Sequence, residues 1–209
     1  MSWIAEVVLT GQHVRLEPLR LAHIAPLVAA ANESRQSYGL SYVPADEAAM
    51  RAYVDAALSL YEQGQALPFA TIDLARSCVV GTTRFANIER WSWPPDGICK
   101  LTAVDFEAAE IGWTWLAASA QRTAINTEAK LLMLGHAFEA WRLVRVNLKT
   151  DVRNARSRSA IERIGAKLDG ILRAQMPASD GGLRDSALYS MLAAEWPAAK
   201  QKLLSRLGK

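Results

Sequence analysis

Three scarcities do much of the sorting in this 209-residue chain. Cysteine occurs twice, at Cys78 and Cys99, which is too few for a disulfide framework and lacks metal-ligand spacing. Both read as reduced structural thiols, and no metal is expected. Long hydrophobic runs are missing: none reaches the length of a membrane span. Residues 1–9 have no basic region and carry Glu6 inside a short apolar run, so they do not read as a signal peptide. The expected location is cytoplasmic, with no membrane partner. Charge of one sign is also scarce. The net charge of +3 suits anionic ligands without demanding nucleic acid. The basic residues between Arg142 and Arg173 are spread over strand and helix patterns without a reader motif, so no nucleic-acid partner is expected. No repeat, low-complexity tract or linker interrupts the chain. Its 51% apolar and 22% charged residues are those of one globular domain, residues 1–209, with its own core.

Hydrophobic spacing sets out the elements. Residues 7–19 read as strand, turn and strand, and 23–31 as a short helix with Pro26 in its first turn. Residues 46–63 form a stronger helix, with Met50, Tyr53, Val54, Ala57, Leu58 and Tyr61 at helical spacing and Gly64 just past its end. Between them lies an aromatic loop bearing Tyr38 and Tyr42, readable as a packed connector or as one wall of a substrate site. Strand patterns follow at 68–74 and 79–88. A Pro/Gly-punctuated loop then carries Trp91 and Trp93. Residues 110–116 form a strand whose alternation puts Trp113 and Trp115 on one face and Glu110 and Thr114 on the other. A helix at 127–141, apolar almost all round, a strand at 144–150 and a helix at 151–165 come next. A hairpin of 167–175 with 183–192 and a closing helix around Trp196 complete the chain. Strands and helices alternate through the middle, so the class is α/β or α+β with a mixed sheet.

The polar loop at 121–129 is the centre of interest. It passes directly from strand into helix, where backbone N–H groups have no intrahelical acceptor. Those groups and the helix dipole form an anion site. The loop has no glycine, so an ordinary strand-to-helix turn stays open as the alternative.

Residues 110–170 resemble the Gcn5-related N-acetyltransferases, in particular the group similar to the RimL and RimJ ribosomal-protein acetyltransferases. The matching pieces are Glu-Ile-Gly-Trp at 110–113, the Gln121-x-x-Ala124-x-Asn126-Thr127-Glu128-Ala129 loop, and Asn154-x-x-Ser157 followed by residues 160–166. The resemblance implies a mixed, mostly antiparallel sheet of about seven strands, flanked by helices and splayed between its two central strands. It also implies acetyl-CoA as cosubstrate and an amine acceptor, either a protein N-terminus or a small molecule. Gln121, Arg122, Thr123, Ala124, Asn126 and Thr127 would hold the pyrophosphate. Trp113, Trp115 and Leu116 would lie along the pantetheine, Asn154 would hydrogen-bond it, and Arg156 or Arg158 would reach the adenosine phosphates.

Two departures stand out. Ala124 and Asn126 replace small glycine positions, where a Cβ could require an unfavourable φ. Ile161 replaces the tyrosine that many members use as general acid, which leaves Ser157 as the candidate. Glu110 is the candidate base; the alternative is a structural carboxylate paired with Arg84. Tyr38, Tyr42, Trp91 and Trp93 are the candidate acceptor wall. His136 reads as a core histidine. A non-catalytic acyl-CoA-binding module is the second functional reading, and a homodimer is a possible assembly.

Overall fold

The computed structural model describes residues 4–92 and 104–208. Strand β1 (Leu9–Thr10) and β2 (Val14–Pro18) lead to α1 (Ile24–Asn32) and α2 (Glu47–Glu62). Then come β3 (Leu67–Asp73), β4 (Cys78–Glu89), β5 (Ala108–Leu116), α3 (Ala124–Gly135), β6 (Arg145–Asp151), α4 (Ala155–Arg163), β7 (Lys167–Pro177), β8 (Leu183–Leu192) and α5 (Trp196–Arg206). All eight strands belong to one sheet, ordered β1-β2-β3-β4-β5-β6-β8-β7. The count exceeds by one the seven that the resemblance implies and equals the number of strand segments read from the spacing. Every neighbouring pair is antiparallel except β5 and β6.

Local chemistry explains several boundaries. Asp46 caps α2 by accepting the Ala49 N–H at 2.8 Å, and Met50, Val54 and Ala57 form its buried stripe. α3 begins at Ala124, three residues earlier than its apolar pattern suggests, because Thr123 caps it. It ends in a π turn over His136–Ala140 rather than continuing as α-helix. β3 is buried at all seven positions, so helices cover both faces of the sheet there. β4 shows which helices cover which face. Arg84 meets Tyr53 of α2, while its neighbours Thr83 and Phe85 meet Met133 and His136 of α3 and its π turn. Segment 98–106, left unassigned by its pattern, lies mostly outside the described residues. Among the described residues no helix is long and apolar enough to cross a membrane.

The parallel pairing is short. Only Ala108, Ala109 and Glu110 of β5 face Arg145, Val146 and Asn147 of β6. β5 then runs on to Leu116 and β6 to Asp151 without further pairing between them. Their outer edges remain tied to β4 and β8, so the sheet opens as a V.

α3 is locked to the β1–β2 turn by Glu128. This carboxylate has no exposed surface and accepts the backbone N–H groups of Gln12, His13 and Val14 at 2.9, 2.6 and 3.0 Å. A Cβ on Gly11 would sit 2.3 Å from its Cδ, so glycine is the residue that leaves room for the carboxylate. Glu128→Ala would leave three backbone donors without their acceptor, one of them, the Val14 N–H, buried. The expected loss is about 3 kcal/mol or more, read as a lower urea midpoint with unchanged m-value.

Candidate functional site

Glu110 is the last β5 residue paired with β6, and so stands at the apex of the V. It is 6% exposed. Its Oε2 accepts from Asn87 Nδ2 at 2.7 Å and lies 3.1 Å from Lys149 Nζ. Its Oε1 has no hydrogen-bond partner among the described residues and lies 2.8 Å from where a Cβ on Gly112 would stand. Gly112 therefore gives the carboxylate its room.

Two irregularities in the β4–β5 ladder shape this apex. The register shifts between Thr82 and Arg84 and again between Ala86 and Glu89. Trp113 and Asn87, at these shifts, are left-handed, with φ of +49° and +47°. Asn87 thereby aims its amide at Glu110. Trp113 brings its ring to within 5.6 Å of Lys149 Nζ, on the same side as Glu110. The regular alternation read from the sequence fails at Glu110: Trp113 and Trp115 share the face of the sheet that α2 covers, since Thr82, the register partner of Trp115, bonds Tyr53, but Glu110 lies on that face with them. Trp115 is buried edge-on against Tyr38, with centroids 6.0 Å apart, and Thr114 turns toward α3. Lys149, not Arg84, is the ion partner of Glu110.

Beyond Leu116 the chain enters the loop. Gln121 Nε2 donates to Leu116 O at 2.9 Å and to Ser37 Oγ at 3.1 Å, while its Oε1 accepts from Arg156 at 3.2 Å. Arg156 also donates to Ser37 O at 2.8 Å. One glutamine thus joins β5, the 35–38 turn and α4. Thr123 Oγ1 accepts the Ile125 N–H. The backbone N–H groups of Arg122, Thr123 and Ala124 meet no acceptor among the described residues. Ala124 and Asn126 lie in the first turn of α3 with right-handed backbone, so neither substitution for glycine is strained. The left-handed position falls on Arg122 instead, with φ of +61°. Thr127 follows in the same helix.

A groove of about 310 Å³ lies beside this loop, between the 36–40 segment and the start of α4. Asn154 caps α4, its Oδ1 accepting the Ser157 N–H at 3.0 Å. Asn154 Nδ2 and the half-buried Ser157 hydroxyl have no partner among the described residues. Of the two arginines expected to reach the adenosine phosphates, Arg158 is turned away, donating from Nε to the Tyr189 hydroxyl at 3.0 Å. Arg153 is held between Asp151 and Asp180, each 2.7 Å away, and its guanidinium keeps both carboxyls below the usual aspartate range. Arg156 is the α4 arginine left at the loop. Trp115 Nε1 and Asn126 Oδ1 are buried with no partner among the described residues.

The expected acceptor wall is not one surface. Tyr38 is buried under the groove with its hydroxyl on Ala30 O, and Tyr42 is 67% exposed. Trp91 sits by the start of β5, donating to Glu107 and Glu89 with Arg145 over its ring. It lies at the end of β5 away from Tyr38, and nine strand residues span roughly 30 Å. Trp93 lies outside the described residues. The rings near Glu110 are Trp113 and Tyr53, with Arg84 stacked on both. Tyr53 was legible only as part of a helical stripe. Among the described residues no group of His, Cys, Asp and Glu could hold a metal.

Comparison with known proteins identifies the family and the fold. Residues 13–167 match the family model described as an acetyltransferase (GNAT) domain. A GCN5-related N-acetyltransferase from Brucella melitensis superposes with a TM-score of 0.79 at 29% identity, over 97% of this chain and 86% of that one. A T. thermophilus protein classed as an acetyltransferase does so with a TM-score of 0.77 at 33% identity, over 98% and 99%. Mycobacterium smegmatis RimJ, in complex with CoA-disulfide, shares the fold at 21% identity, with a TM-score of 0.74 over 93% and 89%. No curated protein matches.

Beneath β5, two further titratable groups belong to the core. His136 lies against Phe85 and Trp141, and burial pushes its pKa down. Lys130 is 6% exposed, donates to Thr83 and Thr114 at 3.2 and 2.7 Å, and is pushed by burial from 10.5 to about 7. A lysine depressed in the folded state binds fewer protons there than in the unfolded chain between those two values. Stability should therefore rise from pH 7 toward pH 10, by up to about 1.4 kcal/mol per unit from this group. Lys130→Met should flatten that rise in urea titrations run across the same range.

Proposed function

The chain belongs to the GCN5-related N-acetyltransferase (GNAT) family, and from that membership we propose that it transfers the acetyl group of acetyl-CoA to a primary amine by direct attack on the thioester. One observation carries the reading: a buried carboxylate with one oxygen engaged and the other open, set where two parallel strands part.

The residues present fit the cosubstrate. The unpaired N–H groups of Arg122, Thr123 and Ala124, at the start of a 12-residue helix, match a pyrophosphate, and exposed Arg156 lies beside them. Mycobacterium smegmatis RimJ, which shares the fold, is in complex with CoA-disulfide, in keeping with a CoA-type ligand here. The free β5 edge beyond Glu110 offers backbone groups to the pantetheine, as does the unengaged Nδ2 of Asn154. Acetyl-CoA supplies the activated acyl group. Glu110 Oε1 takes the proton of the incoming ammonium, while Asn87 and Lys149 hold the other oxygen and fix the carboxylate's direction. A backbone N–H on the open edge of β5 stabilises the negative charge that develops on the carbonyl oxygen. The Ser157 hydroxyl provides the proton for the departing thiolate, a role that buried Ile161 cannot fill. The acceptor is a protein N-terminal α-amine or a small-molecule amine.

A non-catalytic acyl-CoA-binding module keeps one supporting observation, Ile161, since Ala124 and Asn126 sit in the helix without strain. Thiol release with a panel of amines separates the two readings. The transferase reading expects amine-dependent release, and Glu110→Gln should lower turnover about 10²–10⁴-fold while calorimetric affinity for acetyl-CoA stays unchanged. Undiminished turnover would place the base elsewhere, and binding without release from any amine would favour the module. Asn154→Ala should weaken acetyl-CoA binding and leave turnover at saturating acetyl-CoA largely in place.

A further inference from the structure

Arg84 is an arginine without a counter-ion in a place where one is expected. It is 4% exposed, in a β4 stretch whose neighbours from Val80 to Ala86 are all buried. Its guanidinium carbon stands 5.1 Å from the ring centre of Tyr53 and 5.1 Å from that of Trp113. Among the described residues it makes no ion pair and no hydrogen bond, although a guanidinium carries five donors. None of its nitrogens is among the fully enclosed polar atoms that lack a partner, so the donors reach open space. Arginines are almost never this buried without a partner, because desolvating the charge is costly. The ring faces recover part of that cost, but they cannot satisfy in-plane donors.

Its position says what those donors face. Arg84 pairs with Gly112, and Ala86 with Glu110, so the arginine and the carboxylate are diagonal neighbours on one face of the sheet. Lys149 touches both sides of the arrangement, 3.1 Å from Glu110 and 5.6 Å from the Trp113 ring centre. Lys149 is taken by Glu110; of the cations here with unused donors, Arg184 feels the charges of both Asp151 and Glu110, and Arg84 is the one held between the Trp113 and Tyr53 rings.

We infer that the acceptor carries an anionic group, a carboxylate or a phosphate, that Arg84 binds while the amine approaches Glu110. The inference rests on the acetyl-transfer reading above and narrows its substrate class to amines with a negative charge a few atoms from the nitrogen. Trp113 and Tyr53 hold the guanidinium plane so that its outer edge faces the anion. Their ring faces contribute no competing negative charge of their own. Planarity suits both anions, since each accepts two parallel N–H bonds from one guanidinium.

The test uses wild-type protein with charge-matched amines. Glycine is set against glycinamide, β-alanine against propylamine, and O-phosphoethanolamine against ethanolamine, with thiol release as the readout. The expected result is a kcat/KM at least about tenfold higher for one anionic member over its neutral twin. Which pair shows it distinguishes carboxylate from phosphate. Arg84→Met should erase the preference while acetyl-CoA affinity is kept, and Arg84→Lys should restore part of it. A separate calorimetric arm titrates inorganic phosphate and succinate into the CoA-saturated protein, without any turnover. Binding of either, lost in Arg84→Met, supports the anion site even if no amine is acetylated, in which case the transfer reading fails alone. Equal use of charged and neutral amines, or no anion binding by the CoA complex, overturns the inference while leaving acetyl transfer standing.

Discussion

The parting of β5 from β6 after Glu110 is the constraint on which the rest of the molecule depends. Backbone N–H and C=O groups that would have paired across a parallel ladder are left facing one another across a gap, and such groups need partners. The two strands cannot close the gap, because each is held on its far side, β5 by β4 and β6 by the seven-residue register with β8. The opening is thus a consequence of the sheet rather than of a loop. Everything assigned to chemistry hangs from it. Glu110 stands at its apex, the 121–124 loop lies beyond the end of one arm, and Asn154 lies beyond the end of the other.

Keeping that opening has local costs. Trp113, Asn87 and Arg122 all occupy left-handed backbone, which costs a non-glycine residue roughly 1–2 kcal/mol. Each sits where a regular strand or turn would aim its side chain elsewhere. At Asn87 the return is a hydrogen bond to the carboxylate. At Trp113 it is a ring placed between two cations. The strain is offset far from the site, by a core that runs through both faces of the sheet and by the Glu128 lock between α3 and the β1–β2 turn. That division of labour explains why Glu128, within the same motif as the anion loop, serves stability rather than catalysis.

Much of this was legible in the sequence. The helices with strong stripes, the terminal hairpin and the loop-to-helix junction at 121–129 announce themselves through spacing and capping residues. The family resemblance adds the splay, which no single-strand pattern reveals. The parts that were not legible share one physical cause: alternation assumes an unbroken pleat. A bulge at Trp113 puts that ring on the same face as Glu110, and no residue type in Gly112-Trp113-Thr114 signals it. Arg156 and Arg158 are equally basic and two positions apart, and only the tertiary placement of Tyr189 and Ser37 decides which one reaches the loop. Tyr53 looks like any core aromatic in a helical stripe, because its value depends on what lies opposite it on β4.

Charge placement completes the picture. A net charge of +3 is too small to define a surface, yet the fold distributes its cations unevenly along the opening. Arg145 is matched by Glu89, Lys149 by Glu110, and Arg153 by Asp151 and Asp180. Arg84 and Arg156 have no carboxylate partner among the described residues. They stand at separate points, one beside Glu110 and one beside the helix start whose N–H groups meet no acceptor among the described residues. Arg156 is exposed and already bonded to neutral acceptors, so screening by solvent weakens its pull. Arg84 is enclosed, where the same charge acts through fewer intervening waters and its effect on a bound anion is larger. A group whose own charge is high, such as the proposed pyrophosphate, therefore suits the loop end. At the Glu110 end the proposed anion site would discriminate, because a buried guanidinium rewards an anion strongly and a neutral group not at all.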